Sequence, residues 1–274
     1  MLQNKCSTIL REQVFRVSIF VLGTLILTTT VSADIKKVDL ATREKDFKTA
    51  DEAEKFYQTG QKHLTGDGVM KSYEIAAEKF EIAFSLGLKK VGLDLGQLYI
   101  TSATGKVDIP KAISKLEVAA LDDSSNNVAS DAAYLLSQIY RGDNPGVTRS
   151  EETALKWVEI AAENNHVDAA AEIGFKYFKD PAIGMDATKA YRFTRVAAVR
   201  GHSGSQFNLG IMFYQGSHGV KKNLIKALAW FLVAKNTDPA TDNGTIDIFK
   251  SGMRGSQVKA AEKEAEKLIK NMIF

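Results

Sequence analysis

Cysteine is almost missing from this chain: Cys6 is the only one, so no intramolecular disulfide can form. Just four prolines and two tryptophans occur among 274 residues, and neither charge sign prevails, with 36 Lys and Arg against 33 Asp and Glu. Such a balance creates no general field to draw in polyanions, so nucleic acid and bulk anionic membrane are poor partners. Several chemical signatures are missing too. There is no G-x-x-x-x-G-K-[ST], no strand-linked G-x-G-x-x-G, no H-x-x-x-H and no Asp-rich calcium loop. Neither a cofactor nor a metal is therefore expected, and no catalytic residue can be singled out.

Long apolar runs are equally scarce, with one exception near the start. Lys5, Arg11 and Arg16 precede an apolar stretch from Val17 to Leu27, and Val31-Ser32-Ala33 supplies small residues suited to signal peptidase. The pattern predicts an export signal over residues 1–33, cleaved after Ala33. A retained anchor fits less well, because the stretch falls short of the roughly 20 apolar residues a spanning helix needs. The expected destination is the periplasm if the source is Gram-negative, and otherwise the outside of the cell. Cleavage takes away Cys6, three basic residues and Glu12, leaving 33 basic against 32 acidic residues and a net charge of +1. Residues 34–50 mix charges without an apolar period and read as a polar linker.

What the chain does have is a repeat. The small residues Gly60, Gly96, Ser137, Gly174 and Gly210 follow one another at 36, 41, 37 and 36 residues. A second series, Ala76, Ala112, Ala154, Ala190 and Ala227, keeps step at 36, 42, 36 and 37. Two series sharing one period predict stacked units that bury their apolar faces against their neighbours. Each unit reads as two helices.

The first helix places a large apolar residue before the small one and an aromatic three after it, as in Leu95-Gly96-x-x-Tyr99 and Ile173-Gly174-x-x-Tyr177. Glycine inside a helix is unfavourable by about 0.5–1 kcal/mol relative to alanine, so its recurrence predicts a neighbouring helix too close for a side chain. The second helix carries alanines seven apart, from Ala76 and Ala83 to Ala227 and Ala234, with Phe80, Leu116, Trp157, Phe193, Trp230 and Phe231 as bulky fillers between them. Glycine-rich turns such as Gly66-Asp67-Gly68-Val69 and Gly216-Ser217-His218-Gly219-Val220 join the two helices; glycine supplies positive φ there, and the following Val or Met plugs the gap. Units two and four depart from this at Thr104 to Val107 and Asp180 to Met185.

Two irregularities stand out. Leu121 to Asn127 inserts about five residues, polar after Leu121, and reads as tolerated lengthening of a surface loop, the alternative being a loop on the binding face. After Lys235, a loop with Asp238-Pro239 leads to an amphipathic helix bearing Val258, Ala261, Ala265, Leu268, Ile269 and Met272, which reads as a cap over the last unit. The expected fold is an all-α solenoid: residues 51–236 form five helix pairs, and 237–274 a loop and capping helix.

The segment from Leu209-Gly210 through Phe213, Gly216, Gly219-Val220 and Lys226-Ala227 to Trp230-Phe231 and Ala234 resembles the Sel-like repeat (SLR), a tetratricopeptide-related helix pair of about 36 residues. The resemblance is sharpest in unit five and weakest in unit one, where His63 stands in for the aromatic. It implies a right-handed superhelix of antiparallel helix pairs serving as an adaptor. Bacterial members with signal peptides are commonly periplasmic or secreted, and include regulators of envelope signalling and polysaccharide production and factors that meet host proteins. Some cysteine-rich relatives were described as β-lactamases, and the cysteines of those relatives are missing here.

These features predict a protein or peptide partner held in a concave groove, with the chain monomeric or weakly oligomeric. The residue after each small position turns toward the inner face of the superhelix: Gln97, Gln138, Phe175 and Ile211, with Thr101, Gly142, Lys179 and Gln215 one turn on. The alternative is that these residues are solvated or pack within the stack. A second function class is a cell-wall or glycan-acting enzyme on a helical scaffold, which needs paired carboxylates across a cleft. Gly201-His202-Ser203-Gly204 has the wrong spacing for a nucleophile elbow. His166 and His202, 36 residues apart, read as turn residues, and His63 and His218 have no companions at ligand spacing.

Overall fold

The computed structural model describes residues 48–101, 105–122, 124–179, 186–242 and 244–272. The expected export signal, most of the expected linker, Asp123 of the insertion and the turn residues Thr104 and Asp180 to Met185 lie outside them. The chain divides into a first body, Met1–Lys55, and a second, Phe56–Phe274. Residues 48–55 of the first body are helical, so helix begins before the end of the segment expected as a linker.

The second body is helical throughout, with no strand among the described residues. It runs α1 (56–65), α2 (Tyr73–Ser85), α3 (Val91–Ile100), α4 (Ile109–Ala120), α5 (Asn126–Arg141), α6 (Glu151–Glu163), α7 (Val167–Lys179), α8 (Ala187–Val199), α9 (Ser203–Gln215) and α10 (Leu224–Thr237). A 3-10 turn (Pro239–Thr241), α11 (Thr245–Ser251) and α12 (Gly255–Lys270) follow. Consecutive helices pack on one another from α2 to α10, and α12 packs on α10. No described helix is long and apolar enough to cross a membrane.

The alanine series is the buried spine. Ala76, Ala83, Ala112, Ala119, Ala154, Ala161, Ala190, Ala197, Ala227 and Ala234 all have 0% exposure. The small residues of the first helices sit against the next helix. A Cβ on Gly60 would lie 2.4 Å from the Phe80 ring, on Gly96 2.4 Å from Leu116, and on Gly210 2.3 Å from Phe231. On Gly174 it would lie 2.8 Å from the backbone nitrogen of Thr194. All four opposing residues stand four after the repeat alanine. The expected fillers therefore mix two positions: Trp157, Phe193 and Trp230 stand one residue earlier, and Trp157 is only half-buried.

Each second helix starts on a side chain four before its alanine. The Ser72 hydroxyl accepts from Ile75 N (3.2 Å), the Asp108 carboxylate from Lys111 N (3.0 Å), the Ser150 hydroxyl from Thr153 N (3.1 Å) and the Asn223 amide oxygen from Lys226 N (3.0 Å), while Asp186 caps α8 in the same way. Such caps contribute about 1 kcal/mol each. The backbone N–H of four of these residues also donates into the preceding helix, to His63, Tyr99, Tyr140 and Phe213 carbonyls, which fixes the pair at its turn.

The turns between units are alike in three places. Gly87, Asn165 and Gly201 have φ of +96°, +69° and +93°, and the N–H of the next residue returns to Ala83, Ala161 and Ala197 O. This left-handed cap satisfies the carbonyls that end each helix. The insertion replaces it between α4 and α5, and it is not all loop: Asn126 and Asn127 form the first turn of a lengthened α5. Within the units the expected glycine role holds at Gly66, Gly146 and Gly216, with φ of +84°, +78° and +69°, but Gly142 caps α5 in an extended conformation. Val147 and Val220 pack against the core as expected, whereas Val69, Met70 and Val107 are 38%, 79% and 39% exposed and plug nothing.

Buried residues form two clusters. One surrounds Phe80, Val91, Leu95, Leu98 and Ala112; the other extends from Ile109 and Leu116 to Ala265, so that α4 serves both.

A polar clasp joins neighbouring units. Five residues after Ala76, Glu81 accepts hydrogen bonds from Tyr99 Oη (2.7 Å) and Lys115 Nζ (2.6 Å) and pairs with Lys111 (3.0 Å). Five after Ala154, Glu159 accepts from Lys189 Nζ and from Tyr177 Oη (3.4 Å). Burial raises the Glu81 pKa, but hydrogen bonds from Lys115, Tyr99 and Lys111 outweigh it and hold the carboxyl below its ordinary 4.5. A depressed carboxyl stabilises the fold above the unfolded value, and that contribution is lost as pH falls through the folded one. Glu81→Gln is expected to cost about 1 kcal/mol at neutral pH, and the gap to the native chain should close as pH falls below 4.5. Urea unfolding at stepped pH checks this, and a constant gap would assign the loss to packing.

Candidate functional site

The first helices α5, α7 and α9 form one wall of an open groove of about 660 Å³. Tyr134 reaches it from α5, Asp168, Ala171, Glu172 and Phe175 from α7, and Phe207 and Asn208 from α9. His202, Gly204 and Ser205 line it too, with Thr241 of the 3-10 turn. Asp168, Ala171, Glu172 and Phe175 are spaced by three and four residues, so a single face of α7 lines the groove.

Its lining is aromatic and acidic. Phe175 is 45% exposed, with Lys179 Nζ 4.9 Å from its ring centroid. Tyr134 stacks near His166 at 4.2 Å between centroids, and His166 Nε2 lies 3.7 Å from Asp131. Burial, with Glu172 and Asp168 nearby, pushes the Tyr134 phenol above its ordinary value. Glu172 is held by the Arg141 guanidinium, one of whose hydrogen bonds is 3.0 Å, and Lys176 bridges to Glu151 at 2.6 Å. Asp168 carries no ion pair among the described residues.

The expected positions divide. Phe175 lines the groove; Lys179 covers its ring, and Gln138 hydrogen-bonds to Tyr134 beside it. Gln97 and Thr101 are exposed on and just after α3, and Gln215 is exposed at the end of α9, none of them among the lining residues. Gly142 is half-buried at the α5 cap, and Ile211 is half-buried against the core. Sequence reasoning missed Tyr134, Ala171 and Phe207. They lie four residues before Gln138, Phe175 and Ile211, so one helical turn back along the same face would have found them.

The histidines are structural in the described turns. Nδ1 of His166 accepts from Ala169 N (3.2 Å), and Nδ1 of His202 accepts from Ser205 N (3.1 Å), so both cap first helices. His63 bonds the Met70 carbonyl at 3.0 Å, and His218 stacks on Phe178 at 4.4 Å, where burial holds its pKa below the ordinary value. Among the described residues no three His, Cys, Asp or Glu gather as a metal site.

Residues 57–88, 130–166 and 203–236 match the Sel1 repeat. These are units one, three and five, and the divergent turns of units two and four fall between them. The chain is 30% identical over 158 residues to the Sel1-repeat-containing protein YjcO of Escherichia coli K12, a match spanning 57% of this chain and 52% of that protein. It thus spans about half the length of the curated relatives it matches. A Sel1 repeat protein from Oxalobacter formigenes superposes with a TM-score of 0.53 at 20% identity, over 79% of this chain and 86% of that one. A protective antigen of uropathogenic Escherichia coli with an SLR fold aligns over 80% of this chain and 54% of its own, with a TM-score of 0.47 and 22% identity. Three stretches of the chain thus carry the Sel1 repeat, and they lie in a stack of helix pairs with the fold of the Oxalobacter formigenes protein.

Proposed function

We propose that this chain is an exported adaptor, without catalytic activity of its own, that holds a protein or peptide partner in the groove across α5, α7 and α9, in envelope signalling or host interaction. Export rests on the segment 1–33, and the five-unit division of residues 51–236 on the repeat. The observation that carries the reading is the groove: the exposed Phe175 and the half-buried Tyr134 and Phe207 beside carboxylates, on helices packed along a buried alanine spine. A glycan-acting enzyme fits less well. Asp168 and Glu172 both line the groove, but they stand on one face of α7 and Glu172 is committed to Arg141, whereas paired-acid hydrolysis needs carboxyls facing each other across the bond.

A photocrosslinking residue at Phe175 should capture the partner in its native setting, and one at the exposed Lys156 of α6 should not. Replacing Gln138, Phe175 and Lys179 together by alanine should lower capture at least tenfold and leave the helical circular-dichroism signal unchanged. Capture only at position 156, or undiminished by the triple substitution, would move the interaction off this groove.

A further inference from the structure

The clasp between units changes sign at the last junction. Where Glu81 and Glu159 stand, five residues after the repeat alanine, the fourth unit has Arg195, and where Tyr99 and Tyr177 stand the fifth has Phe213. The lysine remains: Lys226 holds the place of Lys111 and Lys189, with Nζ 5.4 Å from the Phe213 centroid. Neither Arg195 nor Lys226 makes an ion pair among the described residues. Both line a cavity of about 150 Å³ whose walls include Leu209, Phe213, Trp230 and Leu268. Glu264 of α12 also lines it and pairs with neither cation, which leaves the site with a net positive charge.

We propose that this cavity is a carboxylate site, independent of the groove. At two other junctions a carboxylate lies among the same neighbours, supplied by the chain itself. Here the chain supplies a second cation instead, and the matching anion comes from outside. Two cations at an apolar pocket select a carboxylate on a short apolar stem, since the charge is neutralised at the mouth while the stem is buried. The volume accommodates a group the size of an acidic side chain.

The test uses the purified chain and the NMR signal of the Trp230 indole N–H, assigned with Trp157→Phe. One arm titrates butyrate against butyramide; the other titrates an end-blocked peptide with a single central Glu against its Gln counterpart. Saturable shifts with the acids and none with the amides are expected. Butyrate binding as tightly as the peptide assigns the site to small acids, and binding of the Glu peptide alone assigns it to a partner's side chain. Arg195→Glu, which restores the residue type found at the other junctions, should abolish the shift and keep the thermal midpoint at or above the native value. Lys226→Gln should weaken binding at least tenfold, and Glu264→Gln should tighten it. Equal shifts with acid and amide, or binding that survives both Arg195→Glu and Lys226→Gln, would overturn the proposal; if Arg195→Glu does not fold, Lys226→Gln alone decides.

Discussion

Deleting residues 254–274 is expected to convert a stable chain into an aggregating one. The helix α10 is buried on nearly every side: Ala227, Leu228, Ala229, Trp230, Phe231, Val233 and Ala234 are all in the core. One of its flanks packs on α9 of the same unit. The other is covered by α12, where Ala261 and Ala265 are 0% and 4% exposed. Taking α12 away returns several large apolar side chains to water, at about 1.5–3 kcal/mol for each one fully uncovered, and leaves a patch of the kind that drives self-association. A gentler variant, Ala261→Glu, places an unpaired carboxylate in the same contact and should cost on the order of 3 kcal/mol. Thermal unfolding and size-exclusion chromatography check both. An unchanged midpoint and a monomeric elution profile for the truncated chain would make α12 a mere tail.

The second large effect is expected from adding one methyl group. A Cβ on Gly92 would lie 2.3 Å from the Lys115 carbonyl oxygen and 3.1 Å from the Ala119 Cβ, both on α4. A ring can rotate away from such a contact, but a helix backbone moves only as a whole. Gly92→Ala gains about 1 kcal/mol of helix propensity and should still be destabilised by about 2 kcal/mol net, because overpacking at a rigid contact outweighs it. Gly255→Ala is the internal control, since nothing lies within 4 Å of its Cβ; it should be neutral or slightly stabilising. Urea midpoints for the two variants should move in opposite directions, and a stabilised Gly92→Ala would mean that α3 and α4 adjust freely.

Much of this architecture is legible in the sequence because solenoid packing is local. An alanine that must fit between two helices in one unit must fit in all of them, so the requirement recurs at the repeat spacing, and the ten alanines read from the period all have 0% exposure. The same holds for Gly60, Gly96, Gly174 and Gly210, whose close neighbours explain their absent side chains. What period alone does not encode is rotation about each helix axis. A shift of one residue turns a helix by about 100°, enough to exchange Trp157 for Val158 as the buried filler of unit three, and Val158 is the one with 0% exposure. The groove suffered the same ambiguity. Of the positions after the small residues, Phe175 lines the groove and Ile211 rests against the core, while Tyr134, Ala171 and Phe207 line it from one turn away. Thr241 was beyond reach, since it enters from a 3-10 turn outside the repeat. Gly92 is harder to read because its register is only partly small: Ala133 and Ala170 hold the same place in units three and four, but Phe56 and Gln206 hold it at the ends.

The division of the core at α4 leaves the leading units and the groove with largely separate packing. Its walls draw their packing from the second cluster: Leu136 beneath α5, Ile173 beneath α7 and Leu209 beneath α9 all belong to it, and Phe80, Val91, Leu95 and Leu98 do not. Local openings in helical repeats begin at the ends, where a unit has only one neighbour. An opening that starts at α1 and stops at α2 therefore loosens the first cluster, and it reaches the groove only through α3, whose Leu93 and Ile100 pack on the second. The first units are therefore expected to loosen before the groove does, and the groove walls to hold until α3 yields.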